Sequence, residues 1–165
     1  MVINGRKLAD EIVGRLKKEF AKLPRRLSVG AVFVGKDPAS ESFLKQKAKV
    51  AEILGVNFKI FRYESKIKTE ELSKEILKIN KNSIKNNNPT SRRSSINGII
   101  IQLPLPKHIK TSVILNAISP KKDIDALSSA KILRSKTKAD KKNPKVLAPT
   151  AEAVKFIFEK YKLKS

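Results

Sequence analysis

The chain has 165 residues, of which 37 are basic and 15 acidic, for a formal net charge of +22. That length suits one domain better than two. The lack of cysteine excludes disulfides and thiolate metal sites, and a single histidine excludes a metal site of several histidines. The amino terminus lacks the apolar core of a signal peptide, and nowhere do about eighteen apolar residues run together, so the expectation is a soluble cytoplasmic protein with no membrane partner.

In chain order, residues 6–22 set Leu8, Ala9, Ile12, Val13, Leu16 and Phe20 at helical spacing between charges, which predicts an amphipathic helix ended by Pro24. LSVGAVFVG, 27–35, is β-branched and bounded by Gly35, as a buried strand is. The KDPAS turn leads into a helix from about residue 40 to 54, closed by Gly55 at its C′ position. NFKIFRYE, 57–64, alternates as a second strand. Thr69 followed by Glu70 and Glu71 predicts the cap of a helix running to about residue 80.

INGIIIQLPL, 96–105, reads as the third strand, and its last residues raise a question. Pro104 and Pro106 lack the N–H that a sheet ladder needs, so the apolar run ends on Gln102 and a rigid lip. In open α/β sheets such lips border the ligand crevice. A short helix over 111–118 follows, and a last one starts at Thr150 with Ala153, Val154, Ile157, Phe158 and Tyr161 on one side. The polar segments 81–95 and 134–145 read as mobile surface loops. Strand alternating with helix predicts an α/β fold, a mostly parallel sheet flanked by helices in three layers.

The charge alone could suggest nucleic acid. Yet eight of the 37 basic residues are arginine and the rest lysine, spread over the whole chain, whereas base reading favours arginine. No specific nucleic-acid partner is expected. A basic surface would still steer small anionic substrates. All six glycines are isolated, so neither a dinucleotide turn nor a P-loop can be built.

Two features could carry chemistry. In SFLKQKAKVAEILG the apolar face comprises Phe43, Leu44, Ala48, Val50, Ala51 and Leu54, and Lys47 falls inside that stripe. By spacing alone the commoner outcome is a snorkelling lysine. The alternative is a lysine at a cleft, working as general acid or base. Asp123 and Asp125 in KKDIDAL alternate and share a face when extended, which suits metal, substrate N–H groups, or simple balancing of Lys121 and Lys122. His108 reads as a loop residue.

With these residues in view the chain resembles the amino-terminal catalytic domain of the methylenetetrahydrofolate dehydrogenase/cyclohydrolase family. The resemblance rests on VGKDPASESFLKQKAK, NGIIIQLPLPKHI, NAISPKKDIDAL and LAPTAEAV, in the family's order, and runs from near Asn4 to Ser165. It implies that Lys47 helps open the methenyl bridge of a folate substrate and moves its proton, which reverses the preference for a snorkelling lysine. It implies that Gln102 tunes that lysine, that Leu103 and Pro104 wall the folate, and that Asp125 recognises the pterin N–H groups. Phe43 stands where the family usually has tyrosine, and Ala126 and Ala148 stand where it has glycine and cysteine. The family's reaction oxidises methylenetetrahydrofolate with NADP or NAD, without a metal, and then hydrolyses the methenyl product. The domain that would bind the dinucleotide is expected to be missing from a truncated or split enzyme, so the partners expected are a folate and either a second copy in a homodimer or a separate cofactor-binding domain. The rival expectation is a non-catalytic folate-binding module.

Overall fold

The computed structural model describes residues 2–81, 96–129 and 147–163. The segments expected to be mobile loops lie almost wholly outside these residues. Three strands, β1 (Ser28–Val34), β2 (Asn57–Tyr63) and β3 (Gly98–Ile101), form a parallel sheet in the order β2-β1-β3. Ser28 to Val34 of β1 pair with Asn57 to Tyr63, and Val29 to Val32 pair with Gly98 to Ile101. This is the expected α/β architecture.

The helices are α1 (Gly5–Phe20), α2 (Pro38–Ile53), α3 (Thr69–Asn80), α4 (Thr111–Asn116) and α5 (Pro149–Tyr161). Strand alternation sends Val32, Val34, Ile99 and Ile101 to one face, where they pack with Leu72, Ile76 and Ile79 of α3 and Ile114 of α4. Ala31, Phe33 and Ile100 point to the other face and meet Leu44 of α2. Each fully buried Ile, Leu or Phe contributes roughly 1.5–3 kcal/mol of transfer free energy. Buried on both faces, β1 and β3 read as continuous apolar runs, whereas β2, at the sheet edge, alternates exposed and half-buried positions.

Helix α2 is bounded at both ends by local chemistry. Asp37 caps it, its carboxylate accepting the Ser40 N–H at 2.7 Å, with Pro38 at the first helical position. At the other end Gly55 takes φ +69°, while the Gly55 and Val56 N–H groups donate to the Glu52 and Ala51 carbonyls at 3.0 and 2.8 Å. A Cβ at Gly55 meets nothing within 4 Å, so only the backbone opposes a side chain there. We expect Gly55→Ala to cost about 1 kcal/mol, the penalty of an L-residue in the left-handed region, read as a lowered urea midpoint at unchanged slope.

Three expectations need correction. The third strand ends at Ile101 rather than near residue 105: the Gln102 N–H makes the last ladder bond, to the Val32 carbonyl at 2.9 Å, and Pro104 and Pro106 have no N–H with which to continue it. The fourth helix ends at Asn116, not residue 118. Thr69 is the first helical residue and not the cap. Its hydroxyl instead accepts the Lys110 N–H at 3.1 Å, while Glu71 reaches back to the Lys68 N–H at 3.3 Å. The last helix forms with its apolar residues on one side, which is only partly covered: Ile157 and Tyr161 are half-buried, whereas Val154 is 51% and Phe158 40% exposed. An ion pair from Lys160 to Glu11 joins α5 to α1.

Candidate active site

The chain runs from β1 through α2 to β2 on one side, and later returns to β3 on the other side of β1. The carboxyl ends of β1 and β3 therefore flank a reversal of strand order, where open α/β sheets leave a crevice. Three side chains converge beside it. Lys47 comes from α2, Gln102 from the residue after β3, and Asp125 from the segment that follows α4.

Lys47 Nζ lies 3.5 Å from Gln102 Oε1 and 3.9 Å from Asp125 Oδ2. Both distances exceed the roughly 2.9 Å of a formed N–H···O bond, so the amine is held between two acceptors and tied tightly to neither. Its side chain is 38% exposed and that of Asp125 20%. The aliphatic stem lies along the core-facing side of α2, whose buried positions are Ser40, Leu44 and Ala51. Lys47 thus snorkels and reaches the cleft at once. The two readings of the sequence are parts of one geometry.

Gln102 is buried, and its amide orientation follows from what surrounds it. Nε2 donates to the Leu103 carbonyl at 2.8 Å, which leaves Oε1 facing the amine, the only polarity that gives a lysine an acceptor. The same carbonyl accepts from the buried Ser40 hydroxyl at 3.4 Å. One oxygen of the lip thereby ties the first turn of α2 to the end of β3, setting the two elements that carry Lys47 and Gln102 against each other.

Burial holds the Asp125 carboxyl above the usual carboxylate range. Lys47 pulls it back down and the neighbouring Asp123 pushes it up. Asp123 does not share the open side of the loop. It is 3% exposed, bridges to Ile99 of β3 and accepts the Ser128 N–H at 2.9 Å.

The remaining expected residues are placed less centrally. Phe43 is one turn before Lys47 and, against the expectation of a core-facing position, 62% exposed; Val50 is 41% exposed. An aromatic ring left in solvent one turn from the amine is available for stacking on a flat ligand. Leu103 is half-buried against the core, and Pro104 is exposed, joined to it by a cis peptide bond. His108 is exposed, with Nε2 3.0 Å from the Ile67 carbonyl. Among the described residues no three His, Asp or Glu side chains cluster as metal ligands, and no helix is long and apolar enough to cross a membrane.

Ser40 was not singled out by the sequence reading, although Asp-Pro-x-Ser is a helix-start signature that points to it. A cleft of about 850 Å³ beside Gly35, Arg62 and Lys66 lies apart from the trio, and its Arg62 and Lys66 are paired with Glu41 and Glu64 at 3.0 and 3.1 Å.

Residues 3–125 match the family model described as "Tetrahydrofolate dehydrogenase/cyclohydrolase, catalytic domain". The bifunctional protein FolD of Bacillus cytotoxicus is 36% identical over 143 residues, covering 85% of this chain and 46% of the relative. That of Chlamydia felis is 37% identical over 127 residues, covering 77% and 40%. The chain spans about half the length of the curated relatives it matches. Among solved structures, a Trypanosoma brucei methylenetetrahydrofolate dehydrogenase-cyclohydrolase complexed with NADP and an inhibitor superposes with a TM-score of 0.83 at 26% identity, over 99% of this chain and 52% of that one. A 5,10-methylenetetrahydrofolate dehydrogenase from Bombyx mori superposes with a TM-score of 0.81 at 30% identity, over 97% and 51%.

Proposed function

Because this chain belongs to the tetrahydrofolate dehydrogenase/cyclohydrolase catalytic-domain family, we propose that it binds a tetrahydrofolate in the crevice between β1 and β3 and catalyses hydrolysis of the methenyl form to the formyl form. The observation that carries this reading is the suspended amine, with Lys47 Nζ between Gln102 Oε1 and Asp125 Oδ2. Residues 1–165 then act as one catalytic domain in folate one-carbon chemistry.

In this reading Asp125 accepts hydrogen bonds from the pterin N–H groups, a task suited to an ionised carboxylate, which only accepts. Phe43 stacks on the ligand, and Leu103 with Pro104 closes the opposite wall. Water adds to the cationic methenyl carbon, and the adduct collapses by breaking one C–N bond. The water gives up both its protons, one as it adds and one as the formyl C=O forms; the departing nitrogen takes one of them and the other is released. Lys47 is the group positioned to move those protons, with Gln102 Oε1 orienting its N–H bonds.

The family's oxidative half requires NADP or NAD, which supplies a hydride acceptor when bound. The described residues do not fit a dinucleotide. The helix start beyond β1, where such a fold would seat the pyrophosphate, is already occupied by the Asp37 carboxylate bonded to the Ser40 N–H, and a negative charge there repels phosphate. No hydride step is assigned to these residues.

Phe43 favours a second reading, a folate-binding module without turnover, because it offers a ring but no hydroxyl. The two readings separate when 5,10-methenyltetrahydrofolate is mixed with the chain and loss of its chromophore is followed. Hydrolysis faster than the spontaneous rate is the expected outcome. Binding without acceleration leaves only the module.

A further inference from the structure

The two aspartates of KKDIDAL have been separated by the fold, and the buried one has no part in the chemistry above. The segment that carries Asp125 is anchored where a fourth strand would add to the sheet: the Ile99 N–H donates to the Lys122 carbonyl at 2.7 Å, and Asp123 forms a parallel bridge with Ile99. Gly98 makes room for it, since a Cβ there would lie 2.7 Å from Ile124 Cγ2. Beyond the bridge the chain turns out to Asp125, passes through Ala126 at φ +54°, and returns to Ser128. The turn's base is closed by Asp123 Oδ2, which accepts the buried Ser128 N–H at 2.9 Å.

Ala126 makes that closure necessary. An L-residue in the left-handed region costs about 1–2 kcal/mol and persists only when its surroundings hold it there. Ala126 is buried, as is Ser128 at 1% exposure, so the turn cannot relax into water without uncovering both. A hydrogen bond to an ionised carboxylate is among the strongest single restraints available to a loop.

We propose that Asp123 is a positioning residue for the site: by clamping Ser128 it holds the 123–128 turn in the one conformation that places the Asp125 carboxylate against Lys47. This rests on the folate reading for its consequence, a pre-organised anchor for the ligand's N–H groups, but the clamp itself is independent of any ligand.

The test is a double-mutant cycle on the whole chain, with tetrahydrofolate as probe. Asp123→Ala is expected to weaken binding about tenfold, and Asp123→Asn, which keeps a neutral acceptor, by a smaller factor. Both losses should vanish in an Asp125→Ala background, because Asp123 acts only through Asp125. Losses that persist there, or single variants that bind as the parent does, overturn the proposal. A second readout needs no ligand. Asp125 faces Lys47 of α2 and Asp123 of its own segment. In the parent, Lys47→Met should move the NMR titration of the Asp125 carboxyl carbon upward, and in the Asp123→Asn chain this response should shrink. An undiminished response overturns the clamp. If the parent binds no tetrahydrofolate, the folate reading fails while this second measurement still decides the clamp.

Discussion

Replacing Lys47 with methionine is expected to lower the turnover of methenyl hydrolysis by about 10² to 10⁴, the usual contribution of a positioned acid or base. Methionine retains the length and the apolar stem that lie along α2, so the helix should keep its packing and the chain its midpoint of unfolding within about 0.5 kcal/mol. What is lost is the only cation within 4 Å of both Gln102 Oε1 and Asp125 Oδ2 among the described residues. Lys47→Arg discriminates between two ways in which the amine could work. Arginine supplies a permanent charge but does not give up a proton in proteins, so it should rescue binding and leave hydrolysis near the methionine level. Full rescue by arginine would reassign Lys47 from proton transfer to charge alone. Unchanged turnover in Lys47→Met would remove it from the mechanism.

The fold was legible where one physical cause dominates. The β-branched run of β1 is buried on both faces and has no competing reading, and the Gly55 stop is local backbone chemistry. Legibility failed where two causes compete. Thr69 has the chemistry of a cap, but its hydroxyl goes to a partner 41 residues away, which no local pattern reports. The stripe on α2 correctly contained Leu44 and Ala51 but overreached to Phe43 and Val50, because the helix buries only a narrow line from Ser40 to Ala51 against the sheet. Lys47 was conspicuous for interrupting an apolar stripe. Its neighbours at the site, Gln102 and Asp125, are 55 and 78 positions away, and the resemblance to a family supplied what spacing could not. The aspartate pair shows the limit best. Alternation put Asp123 and Asp125 on one face, whereas the turn through Ala126 gives one of them to the interior and the other to the cleft.

Asp125→Asn should move stability and binding in opposite directions. Burial raises the Asp125 carboxyl above its ordinary value of 3.8, with Lys47 opposing and Asp123 adding to the shift. A carboxyl whose folded value is raised binds its proton more tightly in the native chain than in the unfolded one. Its contribution to stability is therefore complete below the unfolded value and is lost as pH rises through the folded value, so at neutral pH the ionised group opposes folding. Asparagine carries no such penalty, and the variant should melt above the parent at pH 7, the difference closing as pH falls through the carboxylate range. Tetrahydrofolate binding should fall by about 10- to 150-fold, the equivalent of the roughly 1.5–3 kcal/mol carried by hydrogen bonds to a charged group, because an amide presents both a donor and an acceptor where the pterin offers only donors. Parent affinity should itself weaken on acidification sooner than an ordinary aspartate would dictate. A lower melting temperature for the variant would mean that attraction to Lys47 outweighs burial, and unchanged affinity would free Asp125 from the role of anchor. The combination of higher stability and lost binding is the signature of a charge kept partly buried for its ligand at a cost to the fold.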